Sequence, residues 1–258
     1  MTGQIDEITY FYLLHAFDVK IKGTFFKLPA CIEHSPDPSV CLMNFHLFGI
    51  TAAKPFFSAN GDGYMGLGLG NTLGDNNNEY SFLSQLKEHG LIDKKIFSVY
   101  TQMSNKTDNP SQIRFGSYNS DLFEGTELHW IDTLNEKTWQ FKLAQVDYSQ
   151  EDILGKPTVA LMNPSFPFIA APFEDFEKFK AIVQNLGVDG DFELKCTTLD
   201  WCYFKTKCAN IVDKLPDLTF HIGSGAQRAK FTMTAQNYVF SESNTKKKIE
   251  NCHLAIIG

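Results

Sequence analysis

The most constraining stretch of the chain is residues 159–172, where two short apolar runs flank the sequence Asn163-Pro164-Ser165. Proline fixes its own φ and disfavours helical geometry at the residue before it, so Pro164 keeps Asn163 out of a helix. Asn, Pro and Ser are also residues typical of tight turns. The stretch therefore predicts a strand, a tight turn at Asn163 and a second strand.

The composition favours a β protein and excludes some partners. With 258 residues, 43% of them hydrophobic, the chain can bury the core of one large domain or two small ones. Its 23 Phe, nine Tyr and three Trp favour strands over helix bundles. A formal charge of −7 argues against a nucleic-acid or anionic-membrane surface. No apolar run approaches the roughly 20 residues needed to span a bilayer, so no membrane span is predicted.

A glycine pattern near residue 60 raises the question of whether the chain binds a dinucleotide cofactor. Gly61, Gly63 and Gly66 satisfy the G-x-G-x-x-G spacing of dinucleotide-binding turns. That pattern requires a helix to open at its third glycine, but Leu67-Gly68-Leu69-Gly70 follows, and each Gly costs a helix about 1 kcal/mol relative to Ala. No cofactor is therefore predicted.

Six cysteines form an even set in loop-like settings, which favours disulfides and an oxidising compartment. Cys31 and Cys41 flank a Pro-rich loop, and a disulfide between them would remove about 3 kcal/mol of loop entropy on the chain-entropy account. A zinc site that includes His34 is the rival interpretation, but no second close Cys or His pair accompanies it, so no metal is predicted. Residues 1–7 lack the features of a signal peptide, which conflicts with an oxidising compartment.

Two segments have helical periodicity. In residues 80–89 Phe82, Leu83 and Leu86 fall on one face, and Gly90 is expected to end the helix. Residues 173–186 carry a second apolar stripe, which we expect Gly187 to end. The members of that stripe are Phe176, Phe179, Ile182, Val183 and Leu186.

Several segments, which follow one another in the same order along the chain, resemble segments of the pepsin-like aspartic proteases. They are residues 60–70, 90–100, 113–116, 128–131, 139–141, 208–223 and 254–258. The stretch around Asn163 resembles that family's second active-site loop, where Asp-Thr/Ser-Gly stands, and Asn163 occupies the place of the second catalytic aspartate. The resemblance implies an all-β, bilobal acid-protease fold whose first lobe, residues 1–121, is incomplete and whose second lobe is residues 122–258. It also implies that the hydrophobic-hydrophobic-Gly segments 64–66 and 256–258 are buried.

The departures from the family pattern concern both active-site motifs. Nothing in the chain resembles the first Asp-Thr-Gly motif, so the resemblance implies that one or both ends of a longer polypeptide lie outside this sequence. Such a truncation would also account for the missing signal peptide. In the family two carboxylates share a proton, and an amide at Asn163 cannot take that part. Pro164 removes the hydroxyl and the backbone N–H of the Thr/Ser position, and Phe166 and Phe168 are expected to crowd the substrate region.

We therefore expect an aspartic-protease-like pseudoenzyme, with no catalytic residue at Asn163, Pro164 or Ser165, that serves as a binding or structural subunit. Its partners would be other protein chains, with no nucleic acid and no small-molecule substrate. The alternative is an active aspartic endopeptidase whose first catalytic motif lies outside this sequence. Isolated histidines show no Ser or Cys partner spacing that would support a different catalytic site.

The resemblance also bears on the cysteines and on the compartment. It pairs Cys208 with Cys252, and Cys196 is then expected to pair with Cys202 and Cys31 with Cys41, which both close short local loops. Asn105-Lys106-Thr107 is a glycosylation sequon. The expected location is the lumen of the secretory pathway or the extracellular space.

Overall fold

The computed structural model describes residues 5–12, 17–31, 41–54, 65–69, 81–101, 111–123, 127–136, 138–164, 166–190, 192–197, 201–244 and 249–258. Its strands are β1 (Ile5–Tyr12), β2 (Phe17–Cys31), β3 (Cys41–Lys54), β4 (Phe97–Tyr100), β5 (Gln112–Phe115), β6 (Gln140–Tyr148), β7 (Glu151–Asp152), β8 (Thr158–Leu161), β9 (Ile169–Ala170), β10 (Leu194–Cys196), β11 (Cys202–Phe204), β12 (Leu218–Ile222), β13 (Ala229–Met233), β14 (Val239–Asn244), β15 (Ile249–Leu254) and β16 (Ile256–Ile257). Its α-helices are α1 (Phe82–Glu88), α2 (Phe173–Gly190) and α3 (Ala235–Tyr238). Short 3-10 turns occupy Ser120–Phe123, Cys208–Asn210, Val212–Lys214 and Gly225–Gln227. The predicted mainly β class is confirmed.

The chain divides into two compact units, Met1–Leu128 and His129–Gly258. In the first unit β1, β2 and β3 form an antiparallel sheet in that order, and β4 pairs with β5. Leu42 of β3 joins the apolar face of α1 in a small core. Buried Gln85 ties α1 to β3, because its side chain accepts from the His46 N–H at 2.6 Å and donates to the His46 carbonyl at 3.2 Å.

The predicted first helix is present as α1, and Gly90 follows it with a φ of +72°. Tyr80 lies outside the described residues. The predicted burial of the segment 64–66 is wrong for its described part, because the Met65 side chain is 55% exposed. Residues 65–69 also form no helix, which removes the context that a dinucleotide-binding turn requires.

The second unit contains two larger sheets. One has the order β13-β12-β6-β7, with β8 also paired to β6, and the other has the order β10-β11-β15-β14. Helix α2 contributes Phe176, Phe179 and Val183 to the core, each at most 1% exposed. Tyr148 of β6 packs its ring against Phe179 at 4.7 Å between centroids. The predicted stripe on this helix is therefore confirmed.

The predicted end of α2 at Leu186 is wrong, since the helix continues to Gly190. Gly187 lies inside the helix, and the backbone of Phe192 packs closely against it. A Cβ at this position would come within 2.4 Å of the Phe192 carbonyl oxygen. The Phe192 N–H donates to the Gly187 carbonyl at 3.1 Å, so the chain folds back directly onto this glycine.

The six cysteines are joined in three disulfides, Cys31–Cys41, Cys196–Cys202 and Cys208–Cys252. These are the pairs expected from the sequence. The first links β2 to β3, and the second links β10 to β11 across directly opposed positions. The third ties the 3-10 turn at Cys208–Asn210 to the buried centre of β15. A bonded Cys31 and Cys41 leave no thiolates for the rival zinc interpretation, while His34 lies outside the described residues.

Candidate functional site

The stretch around Asn163 forms the strand, turn and strand predicted for it. Strand β8 pairs antiparallel with β6, and the Met162 N–H extends this pairing by donating to the Trp139 carbonyl at 2.9 Å. The Phe166 N–H then donates to the Asn163 carbonyl at 3.0 Å, which closes a four-residue β-turn. Ser165 lies outside the described residues. The backbone of Asn163 is therefore fixed at the end of a sheet strand.

The strand that follows this turn, β9, pairs with β16. Strand β9 pairs in parallel with β16, since the Ile169 N–H donates to the Ala255 carbonyl at 2.8 Å and the Ala171 N–H to the Ile257 carbonyl at 2.9 Å. Ile256 is 4% exposed, whereas Gly258 is exposed, so the predicted burial of 256–258 holds only at its start. The turn thus has a supporting strand on its exit side.

The side chains at the turn offer little acid–base chemistry. Asn163 is half-buried and carries an amide. The amide donates and accepts hydrogen bonds, but it neither gains nor loses a proton in the pH range of acid–base catalysis. Pro164 is exposed and has no N–H to donate. On the strand side of the turn Leu161 and Met162 are 43% and 56% exposed. The surface beside Asn163 is therefore apolar.

Beyond the turn lie four half-buried aromatic residues, Phe166, Phe168, Trp201 and Phe240, which we call the turn aromatic cluster. The Phe168 ring lies 5.7 Å from that of Phe166, 4.8 Å from that of Trp201 and 5.9 Å from that of Phe240. The first two pairs are edge-to-face, a favourable arrangement of aromatic quadrupoles. Phe168 therefore anchors the turn to the sheet that contains β11 and β14.

Phe166 and Phe168 could be recognised in the sequence as candidate site residues, whereas Trp201 and Phe240 could not. Trp201 precedes β11 and Phe240 lies on β14, and both strands pair with β15, which follows β14 directly but is distant from β11 along the chain. No local pattern marks such a cluster. The nearest signal is the alternation of aromatic residues at Trp201 and Tyr203, which places both on one face of an extended segment.

A hydrogen-bonded pair of a buried histidine and a half-buried aspartate lies on the sheet that carries β8. His221 is 5% exposed, and its Nε2 lies 2.7 Å from Asp147 Oδ2 on the neighbouring strand β6. Gln145 Nε2 also donates to Asp147 Oδ1 at 2.6 Å. Burial alone would raise the pKa of Asp147, but the hydrogen bonds from His221 and Gln145, with the charges of His221 and Lys230, hold it below the usual value. The pair links β6 to β12.

The sequence also raised the questions of a metal site, a membrane span, a glycosylation sequon and a dinucleotide-binding turn. Within the ranges given above, no group of three or more His, Cys, Asp or Glu residues is arranged to hold a metal ion. In the same ranges no helix is long and apolar enough to cross a bilayer. Asn105 of the sequon, like Gly61 and Gly63, lies outside the described residues.

Comparison with known proteins gives a consistent match. The family model for the eukaryotic aspartyl protease matches residues 39–258. Cathepsin E-B of Xenopus laevis is 25% identical over 202 residues, which cover 76% of this chain and 46% of that protein. Pepsin A of Gallus gallus is 25% identical over 203 residues, which cover 77% of this chain and 48% of that protein. The chain thus spans about half the length of the curated relatives it matches.

Proposed function

The chain belongs to the eukaryotic aspartyl protease family, and on that premise we propose that it is a catalytically inactive member serving as a binding or structural subunit of a protein assembly. The observation that carries the proposal is the amide of Asn163 at the turn between β8 and β9, where the family's second catalytic aspartate is expected. Aspartic proteases need two carboxylates that share one proton. An amide cannot hold or release that proton.

The surroundings of Asn163 also favour loss of activity. Pro164 supplies neither the hydroxyl nor the N–H by which a Thr or Ser at this place would fasten the loop. Phe166 and Phe168 hold the turn through ring contacts instead. General acid–base catalysis requires a group with a tuned pKa within hydrogen-bonding reach of the substrate. The side chains of Asn163 and Pro164 cannot provide one.

A protein partner suits the surface beside the turn better than a small molecule does. Leu161 and its chain neighbour Met162 are 43% and 56% exposed. Large exposed apolar side chains that lie close together commonly mark protein interfaces. We therefore propose that the partner covers the β8 side of the turn.

The proposed location is the lumen of the secretory pathway or the extracellular space. Three disulfides support an oxidising compartment, because such bonds are rare in reducing ones. A glycan on Asn105, detected by a mass shift after enzymatic deglycosylation, is expected in this compartment. Six free thiols in protein isolated from its source under alkylating conditions would contradict the location.

The alternative function is an active aspartic endopeptidase with a first catalytic motif outside this sequence. The family match favours it, since the relatives carry the names of proteases. An assay separates the two functions: the full-length natural protein, isolated from its source, is incubated at acidic pH with an unfolded protein substrate, with and without a transition-state-analogue inhibitor of aspartic proteases. The proposal predicts no inhibitor-sensitive cleavage, and the alternative predicts such cleavage.

The assembly role has a separate test. The natural protein is isolated under mild conditions, and its mass is measured by light scattering. We expect an associated protein chain, and we expect Met162→Asp to weaken the association, because it places a charge on the exposed apolar surface beside the turn. The exposed Lys156→Asp change, further from the turn, is the matched control. A monodisperse monomer would contradict the assembly role.

A further inference from the structure

His253 stands at the centre of an aromatic row on one face of the four-stranded sheet. The register places Tyr203 of β11 opposite His253 of β15, and His253 opposite Phe240 of β14. Both neighbouring rings lie 5.4 Å from the imidazole and are inclined to it by 26°. The His253 side chain is 13% exposed. It is therefore enclosed between two aromatic rings.

The Nε2 nitrogen of His253 is buried close to a carboxylate but makes no hydrogen bond. His253 Nε2 has almost no exposed surface and lies 2.9 Å from Glu242 Oε2, but the oxygen stands off the direction required for a hydrogen bond. The Glu242 side chain is 70% exposed. A neutral imidazole leaves this nitrogen poorly satisfied, whereas an imidazolium is attracted to the carboxylate without strict alignment. The Glu242 carboxylate therefore lies close enough to attract the ring when the ring carries a charge.

The row continues to the turn at Asn163. Phe240 contacts Phe168 at 5.9 Å between ring centroids, and Phe168 contacts Phe166 at 5.7 Å. Phe168 also packs against Trp201 at 4.8 Å. A contiguous series of ring contacts thus joins His253 to the residue whose N–H closes the turn.

We propose that His253 is a pH-sensitive element that tightens the turn aromatic cluster when it is protonated. Histidine is the side chain that changes charge between about pH 5 and 8. The imidazolium gains attraction from the Glu242 carboxylate and from the faces of the Tyr203 and Phe240 rings. Phe240 is then held more firmly against His253, which restricts Phe168 and, through it, the turn. The element operates whether or not the chain is an inactive protease.

The charged groups around the ring are consistent with this direction. Among the residues that the structure describes, the titratable groups that face it are Glu242 from β14 and Tyr203 from β11. The next strand, β10, brings Lys195 opposite Tyr203. Its charge is offset by Glu193, whose Oε2 lies 3.0 Å from the Lys195 Nζ. Asn251, two residues before His253 on the same strand, is uncharged.

The test follows the indole N–H resonance of Trp201 by NMR between pH 8 and pH 5, with the resonance assigned by Trp201→Phe. We expect it to shift with the same midpoint as the His253 ring protons. Glu242→Gln, at an exposed position that should not affect folding, moves this response to lower pH, and His253→Gln abolishes it. His221→Gln is the matched control, because it removes another buried histidine of the same unit and should leave the response unchanged.

Two results would overturn the proposal. One is a Trp201 resonance that does not move between pH 8 and pH 5 in the unaltered protein. The other is a response that persists unchanged in Glu242→Gln, which remains informative even where His253→Gln fails to fold.

Discussion

The Phe166 N–H donates to the Asn163 carbonyl at 3.0 Å, so the residue at the expected catalytic position uses its backbone to close a turn. Phe166 is in ring contact with Phe168, which packs against Trp201. Hydrogen bonding and ring packing therefore fix the same four-residue turn. Its rigidity does not depend on the hydroxyl that a Thr or Ser would bring to this loop in an aspartic protease.

The disulfide between Cys208 and Cys252 should contribute more stability than the one between Cys196 and Cys202. The two bonds span sequence separations of 44 and 6 residues. On the chain-entropy account they are worth about 4 and about 2 kcal/mol respectively, because the longer loop restricts the unfolded chain more. The check is urea unfolding of the double variants Cys208→Ala/Cys252→Ala and Cys196→Ala/Cys202→Ala. Equal losses, or a larger loss for the shorter loop, would contradict this ranking.

The pair of Asp147 and His221 should make the second unit less stable in acid. The folded state lowers the pKa of Asp147, since the hydrogen bonds of the carboxylate outweigh the opposing effect of burial. A lowered pKa stabilises the fold above the unfolded value of about 4, and this stability is lost as the pH falls through the folded value. Asp147→Asn should be less stable at pH 7, and its difference from the unaltered protein should shrink as the pH falls below about 4. The measurement is the free energy of unfolding against pH.

The exposed Asp213→Asn variant is the control for the Asp147 experiment, because it removes one carboxylate from the same unit without breaking the pair with His221. Its stability should follow that of the unaltered protein across the pH range. An Asp147→Asn curve that stays parallel to the unaltered curve down to pH 2 would show that the carboxylate does not contribute in this way.

Two phenylalanines of α2 should differ sharply in their effect on stability. Phe179 is 1% exposed and packs against Tyr148, whereas Phe173 is 63% exposed. Phe179→Ala removes a buried ring and should lower the free energy of unfolding by about 3 to 5 kcal/mol. Phe173→Ala should change it by roughly 0.5 kcal/mol or less. Chemical denaturation of both variants checks this, and a comparable loss at the two positions would place Phe173 in the core.

Local patterns predicted the elements that depend on nearby residues. The apolar stripe of α2 and the turn at Pro164 both follow from spacing and backbone restriction over a few positions. The end of α2 did not follow, because Gly187 meets Phe192 through a fold-back of the chain that no periodicity encodes. A glycine after an apolar stripe indicates either a stop or a close approach, and only tertiary contact decides between them.

Only those residues of the candidate site that lie in one contiguous motif could be predicted from the sequence. Asn163 and Pro164 stand in a contiguous motif and could be found by resemblance. Trp201 and Phe240 reach Phe168 through long-range sheet pairing, and His221 lies 74 residues from Asp147 in the chain. Interactions across such separations arise from strand order, which a single sequence does not specify.

The most direct test of the central claim is the activity of Asn163→Asp. Pro164 would still leave a carboxylate at this position without the hydroxyl and the N–H that orient the loop of an active site. Asn163→Ala is the matched control. The assay measures cleavage of an unfolded protein substrate at acidic pH, with and without a transition-state-analogue inhibitor of aspartic proteases. We predict no inhibitor-sensitive cleavage by either variant, and such cleavage by Asn163→Asp alone would contradict the account of an inactive site.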